Sequence, residues 1–219
     1  MTRKRHLAAI IFPGFEMLDL FGPLEMFAGP GREHLEIHMV AEQPGPVPAS
    51  LDRDGPTGPA VVATHGFDTA QEFDLLLIPG GAGTRTEIGN PAMIEFLSTR
   101  TARAELVATV CTGSALLAKT GVLDGHRATS NKQVFALATQ QSDAVTWVEA
   151  ARWVEDGKFF TSSGVSAGMD MSLAIIARLF GRDSAQKIAR YAEYCWQEDP
   201  DHDPFVGDLN ELARKLGMV

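Results

Sequence analysis

The run Asp74-Leu-Leu-Leu-Ile-Pro-Gly-Gly81 is continuously aliphatic until Pro79-Gly80-Gly81 stops it. A strand with no polar alternation has to be covered on both faces, which is the habit of a central strand in a parallel sheet. Leu106 to Val110 (LVATV) and the run HLAAIIF, closed by Pro13-Gly14, read the same way, and HLEIHMV (34–40) reads as a further strand. Helical spacing follows these runs. Leu18, Phe21, Leu24, Met26 and Phe27 share a face, with Asp19 near the start and Pro23 in the first turn. Asn90-Pro91 supplies an N-cap and a first-turn proline ahead of Met93, Phe96 and Leu97. The helix after Cys111 should stop at Gly121. Alternating strands and helices predict a three-layer α/β sandwich with a mostly parallel central sheet.

Less regular stretches fit around that frame. The excursion from Pro44 to Pro59 is dense in proline and glycine and predicts a loop with room for a short hairpin. VTWV and ARWVEDGKFFTSS predict an antiparallel hairpin turning at Asp156-Gly157. Ser166 should cap a helix striped by Met169, Leu173, Ile176, Ala177 and Phe180. Another helix, from about Ser184, would carry Tyr191 and Cys195. With 219 residues the chain suits a single domain, 1–219, ending in a short helical tail from about 197.

Composition removes several function classes. The formal charge of −9 repels phosphate backbones, so nucleic acid is not expected as a partner. Two distant cysteines, Cys111 and Cys195, make neither a disulfide framework nor a zinc spacing. No apolar stretch reaches membrane-spanning length, and the first one is too short for a signal peptide. The expectation is a reduced, cytoplasmic protein acting on a small molecule.

In such a sheet ligands gather beyond the carboxyl ends of the strands. Asp19, Gly80-Gly81 and Cys111 should converge there. TVCTGS puts a thiol where a strand turns into a helix, the position of a nucleophile elbow, with Gly113 allowing close approach. The helix amino end should favour thiolate, and nearby N–H groups could hold a developing anion. Gly80-Gly81 would supply a tight turn and an exposed N–H facing the thiol. A buried, inert cysteine is the competing reading, and for Cys195, between Tyr194 and Trp196, packing is the expected role. Asp19 could serve as a helix-terminal charge. Beside a thiol in a dry crevice it would instead hold a proton and exchange it with a reacting atom, with Glu16 as the competing carboxylate. None of His6, His34, His38, His65, His126 and His202 has a catalytic setting or forms a cluster, so no metal site is expected. Met26, Trp147, Trp153, Val165, Met169 and Trp196 are candidates for pocket wall or for core.

The segments FPGFEMLDLFGPLEMF, IPGGAG, TVCTGSALLAKTGVLDGHRATS and TSSGVSAGMDMSLAIIARLFG together resemble the PfpI/ThiJ superfamily, related to class I glutamine amidotransferases. The resemblance implies a flavodoxin-like fold, a homodimer and no cofactor. Within it, the Leu-Asp-Leu-x-Gly-Pro start and the Val-Cys-Thr-Gly-Ser elbow look most like isocyanide hydratases, and also like the ligand-binding domains of AraC-type regulators. The hydratase likeness implies Cys111 as nucleophile, Asp19 as acid/base, Thr112 beside them, and Gly80 and Gly81 bordering the pocket. Where many relatives have Thr-His-Trp, this chain has Ser130-Asn131-Lys132. Asn131 can hydrogen-bond a substrate but cannot relay protons near neutral pH, which weakens a protease or amidase reading.

The reading that follows is a hydratase turning a small isocyanide into an N-substituted formamide through a thioimidate on Cys111. Alternatives are another reaction at the cysteine elbow, glyoxalase-type or amidase, and a non-enzymatic ligand or redox sensor. The 38 residues after Gly181 leave little room for a DNA-binding helix pair.

Overall fold

A computed structural model of the chain describes residues 3–31, 34–51 and 56–218. Positions 52–55, within the excursion read as loop, and positions 1 and 2 of the basic start lie outside the described residues.

Strand β1 (Arg5–Ile10) leads through helix α1 (Met17–Ala28) to β2 (Leu35–Val40). The excursion then forms a short antiparallel pair, β3 (Gly45–Pro48) with β4 (Ala60–Ala63). β5 (Leu75–Ile78) is followed by α2 (Thr84–Glu87) and α3 (Pro91–Arg103), then by β6 (Leu106–Val110) and α4 (Gly113–Lys119). β7 (Arg127–Ala128), α5 (Phe135–Thr139) and β8 (Thr146–Trp147) precede the predicted hairpin of β9 (Trp153–Asp156) and β10 (Phe159–Ser162). Helices α6 (Ala167–Phe180), α7 (Arg182–Tyr191) and α8 (Glu211–Lys215) complete the order.

The main sheet runs β2-β1-β5-β6-β10-β9 and is parallel except for β9. Every residue of β5 and β6 is buried, because α1 and α6 pack on one face while α3 and α4 pack on the other. This is the expected three-layer sandwich, and its strand order is flavodoxin-like. The chain places β2 on one side of β1 and β5 on the other. That reversal opens a crevice at the carboxyl ends of the strands.

Several local expectations hold, for identifiable reasons. Asn90 accepts a hydrogen bond from the Ala92 N–H at 3.0 Å, capping α3. Gly121, with φ of 79°, lies just past the end of α4, and Gly157 (φ 62°) turns the β9–β10 hairpin. Others are corrected. Pro23 sits in the second turn of α1, because the helix already begins at Met17. Ser166 occupies the N-cap position of α6 but makes no capping bond; its hydroxyl accepts from Arg152 Nη2 at 3.4 Å. Helix α7 ends at Tyr191, so Cys195 lies beyond it and is exposed, not packed. Its neighbours Tyr194 and Trp196 both turn inward to Asp170, which leaves the thiol between them outside.

Candidate active site

Cys111 is the residue at which β6 turns into α4, and its φ is +58°. A side chain in this left-handed region costs roughly 1–2 kcal/mol, so the surroundings must hold it there. They do so from both ends. The Cys111 N–H donates to the carbonyls of Ser162 (3.2 Å) and Ser163 (3.3 Å), at the end of β10. Its carbonyl accepts from the hydroxyls of Ser114 (3.2 Å) and Ser130 (3.1 Å). Gly113 lets the turn press on β5, since a Cβ there would lie 2.3 Å from the Ile78 carbonyl oxygen. The expected elbow is therefore a built feature of the fold.

Asp19 reaches the same place from the first turn of α1 and is fully buried. Its Oδ2 accepts from the Gly80 N–H at 2.9 Å, while Oδ1 has no conventional hydrogen-bond partner among the described residues. The carboxyl and the Cys111 thiol act directly on each other's proton affinity. Burial pushes the Asp19 carboxyl well above the ordinary carboxylate range, with the negative charge of Glu16 adding to it. Burial thus favours the protonated form of Asp19, which has a buried oxygen beside sulfur.

The thiol corrects one expectation. Burial, and then the charge that Asp19 would carry if ionised, push Cys111 well above the ordinary thiol range. The Thr112 N–H and the Asn131 amide pull the other way but do not prevail. The amino end of α4 alone therefore does not make a thiolate, because desolvation outweighs it. A proton on Asp19 removes the opposing charge, so the two groups compete for protons as a pair.

Asn131 is oriented by two bonds. Its Nδ2 donates to Cys111 Sγ at 3.1 Å, and its Oδ1 accepts from the Val134 N–H at 3.2 Å. Gly164 packs against both partners: a Cβ at that position would lie 2.2 Å from Asn131 Nδ2 and 3.0 Å from Sγ. The sequence contains this glycine in TSSGVSAG, but nothing in its spacing announces a contact with position 131. Lys132, also missed, is buried behind the loop. Its ammonium donates to Thr129 Oγ1 (2.8 Å) and to the Ala151 carbonyl (2.6 Å), tying down the strand end that carries Asn131.

Gly80, Gly81 and Thr112 gather as expected, with altered roles. The Gly80 N–H is taken by Asp19, and the Gly81 N–H donates to Thr112 Oγ1 at 3.0 Å. Neither N–H is left to face the thiol. Thr112 Oγ1 also exchanges a hydrogen bond with Thr84 Oγ1 at 2.9 Å, so this hydroxyl braces the glycine turn.

A cavity of about 720 Å³ opens over the elbow. Cys111, Thr112, Asn131, Gly81 and Glu16 lie in its floor and wall, so the sulfur is buried yet reachable. Leu51, Val134, Leu137, Val165, Leu212 and Leu216 give the rest an apolar side, and Ser50, Arg85 and Gln133 add polar groups to the wall. Of the hydrophobic candidates named from sequence, only Val165 lines it. Met26 and Trp153 are core, Trp147 packs on Phe135, Met169 on Gly22, and Trp196 donates to the Asp170 carbonyl. No histidine is among the described lining residues. Histidines do cluster elsewhere: adjacent strands bring His6, Glu36 and His38 together, which linear spacing conceals.

A flavodoxin-like sheet with a thiol on a strained strand-to-helix turn, against a buried carboxyl, defines the cysteine-elbow class of α/β proteins. Comparison with known proteins narrows the class. The chain belongs to the DJ-1/PfpI family, which it matches over residues 5–178. It is 32% identical to an isonitrile hydratase of Pseudomonas putida over 84% of this chain and 76% of that protein. It is 27% identical to the HTH-type transcriptional regulator CdhR of Pseudomonas aeruginosa, over 82% of this chain but 52% of that one. A crystal structure of a ThiJ/PfpI family protein from Pseudomonas syringae superposes with a TM-score of 0.78 at 29% identity, covering 99% of this chain and 85% of that one. Among the described residues no helix is long and apolar enough to cross a membrane.

Proposed function

We propose that the chain is a cysteine-dependent isocyanide hydratase. The observation that carries the reading is the fully buried Asp19, its proton affinity raised by burial, beside Cys111 in a cavity with no histidine among its described lining residues. An isocyanide needs a nucleophile at its terminal carbon and a proton at that same carbon, and this pair offers both. Likeness to the isonitrile hydratase supports it.

With one proton held between the pair, sulfur of Cys111 bonds to the terminal carbon as that proton passes through Asp19 to the same carbon, giving a thioimidate and an Asp19 carboxylate. The carboxylate then takes a proton from water as its oxygen adds to the carbon, and returns that proton to nitrogen. Asp19 finally takes the hydroxyl proton as the carbonyl forms and the carbon–sulfur bond breaks. The products are an N-substituted formamide, the sulfur anion and protonated Asp19, so one water is consumed and the pair is restored. Asn131, donating to sulfur, stabilises the anion at both ends of the cycle. Thr112 and the Gly80-Gly81 turn position Asp19 and the elbow.

Incubation with para-nitrophenyl isocyanide should yield the formamide, with a transient adduct on Cys111 visible by mass spectrometry. Cys111→Ala should give neither, and Asp19→Asn should slow turnover by at least about a hundredfold. Undiminished formamide production by Cys111→Ala would refute the scheme. Tight binding of small molecules without turnover would favour a ligand-sensing role, as the likeness to a regulator suggests.

A further inference from the structure

The pole of the sheet opposite Cys111 holds a second group of chemistry-bearing side chains. Strands β1 and β2 pair in parallel with His6 opposite Glu36 and Ala8 opposite His38. Side chains two residues apart on a strand share a face, so Glu36 and His38 project together, beside His6. The result is a His6 Nδ1 to His38 Nε2 separation of 2.9 Å, with a Glu36 carboxylate oxygen in the same group, all within 4.8 Å of one another. His38 is buried among rings: His65 lies edge-on at 5.0 Å and Phe73 at 5.6 Å between centroids.

We propose that His6, Glu36 and His38 bind a divalent transition-metal ion of Zn(II) type. Two imidazole nitrogens and one carboxylate oxygen form a donor set suited to such ions, with a remaining position for water. The required rearrangement is small. Zinc–nitrogen bonds of about 2.0–2.1 Å at a tetrahedral angle separate the two nitrogens by roughly 3.3 Å, a few tenths of an ångström beyond their present spacing. On binding, the ring that now donates across this gap would carry its proton on its other nitrogen, so that both facing nitrogens offer lone pairs to the ion.

Burial, and then the neighbouring His65, lower the His38 proton affinity. The hydrogen bond and charge of Lys4 lower the proton affinity of Glu36. Lys4 Nζ, 2.6 Å from Glu36 Oε2, is the competitor for that carboxylate. Both partners of this ion pair are partly exposed, so releasing it costs little. His65 is occupied by Thr64, its Nδ1 lying 2.9 Å from Thr64 Oγ1, and it packs the site from the side.

Titration of the tag-free chain with ZnCl2, followed by calorimetry, and with CoCl2, followed by visible absorption, tests the site. A single equivalent should bind, and Co(II) should show the intense bands of low-symmetry coordination. His6→Gln and Glu36→Gln, both at partly exposed positions, should each weaken binding at least about tenfold, and His38→Gln should do the same. Cys111→Ala and His202→Gln should bind as the parent does. Isocyanide turnover should be the same with and without Zn(II), which separates this site from the proposed reaction. Absence of binding at micromolar Zn(II), or full binding retained by folded His6→Gln and Glu36→Gln, would overturn the proposal.

Discussion

The Asn131 amide is the only side-chain N–H donor to Cys111 Sγ among the described residues, and its own carbonyl is anchored to the Val134 N–H. A donor aimed at sulfur favours the anion over the thiol, because the charged form accepts the stronger bond. Asn131→Ala removes that donor. A hydrogen bond to a charged group contributes about 1.5–3 kcal/mol, and a tenfold change in equilibrium corresponds to about 1.4 kcal/mol. The pH midpoint for alkylation of Cys111 by iodoacetamide should therefore move upward by about one unit or more. Stopped-flow alkylation across pH measures it without reference to any substrate, and an unmoved midpoint would remove Asn131 from the account of sulfur reactivity.

Among the elements, α6 does more than cover the sheet. Its Asp170, fully buried, takes Arg152 Nε at 2.7 Å on Oδ2, and Tyr194 hydroxyl and the Gln197 N–H, each at 2.9 Å, on Oδ1. One carboxylate thus ties α6 to the start of β9 and to the segment after α7. Asp170→Asn would leave the buried Arg152 guanidinium without its counter-charge, which costs about 3–5 kcal/mol. Urea unfolding should show that loss, and Arg152→Met in the Asp170→Asn background should recover much of it. This hub was not legible in the sequence, since Asp170 sits within a helix and its partners come from two other segments. The strands were legible because Leu75–Ile78 and Leu106–Val110 are unbroken runs whose burial has one solution. The elbow was legible for a similar reason, since few folds place a cysteine between such a run and a glycine-led helix. The roles of Gly80 and Gly81 were not, because a linear reading cannot assign the acceptor of an N–H. Gly164 escaped notice because it meets Asn131 and the thiol only across the fold.

For the whole molecule, pH-dependent stability reports on the buried titratable groups together, and their signs differ. Asp19 has its folded proton affinity raised, so the native state keeps a proton that the unfolded chain has released, and stability falls as pH rises above the ordinary carboxylate range. Cys111, raised above 9.0, acts in the same direction in the alkaline range. Lys132 acts oppositely. Burial lowers its pKa from 10.5 to about 8, against the attraction of Asp203 and Glu149. Between about 8 and 10.5 the unfolded chain binds more protons at this residue than the native state, so its contribution to stability rises with pH. At neutral pH the group is charged in both states, and burying that charge is a standing cost that deprotonation relieves. Lys132→Met isolates the effect, because Asp19 and Cys111 are present in both proteins. The difference in unfolding free energy, parent minus Lys132→Met, should increase by on the order of 3 kcal/mol between pH 7 and pH 11. Urea unfolding at intervals across that range gives the slope directly. A difference that stays flat would mean that Thr129 Oγ1 and the Ala151 carbonyl solvate the ammonium as well as water does, and that Lys132 is charged throughout.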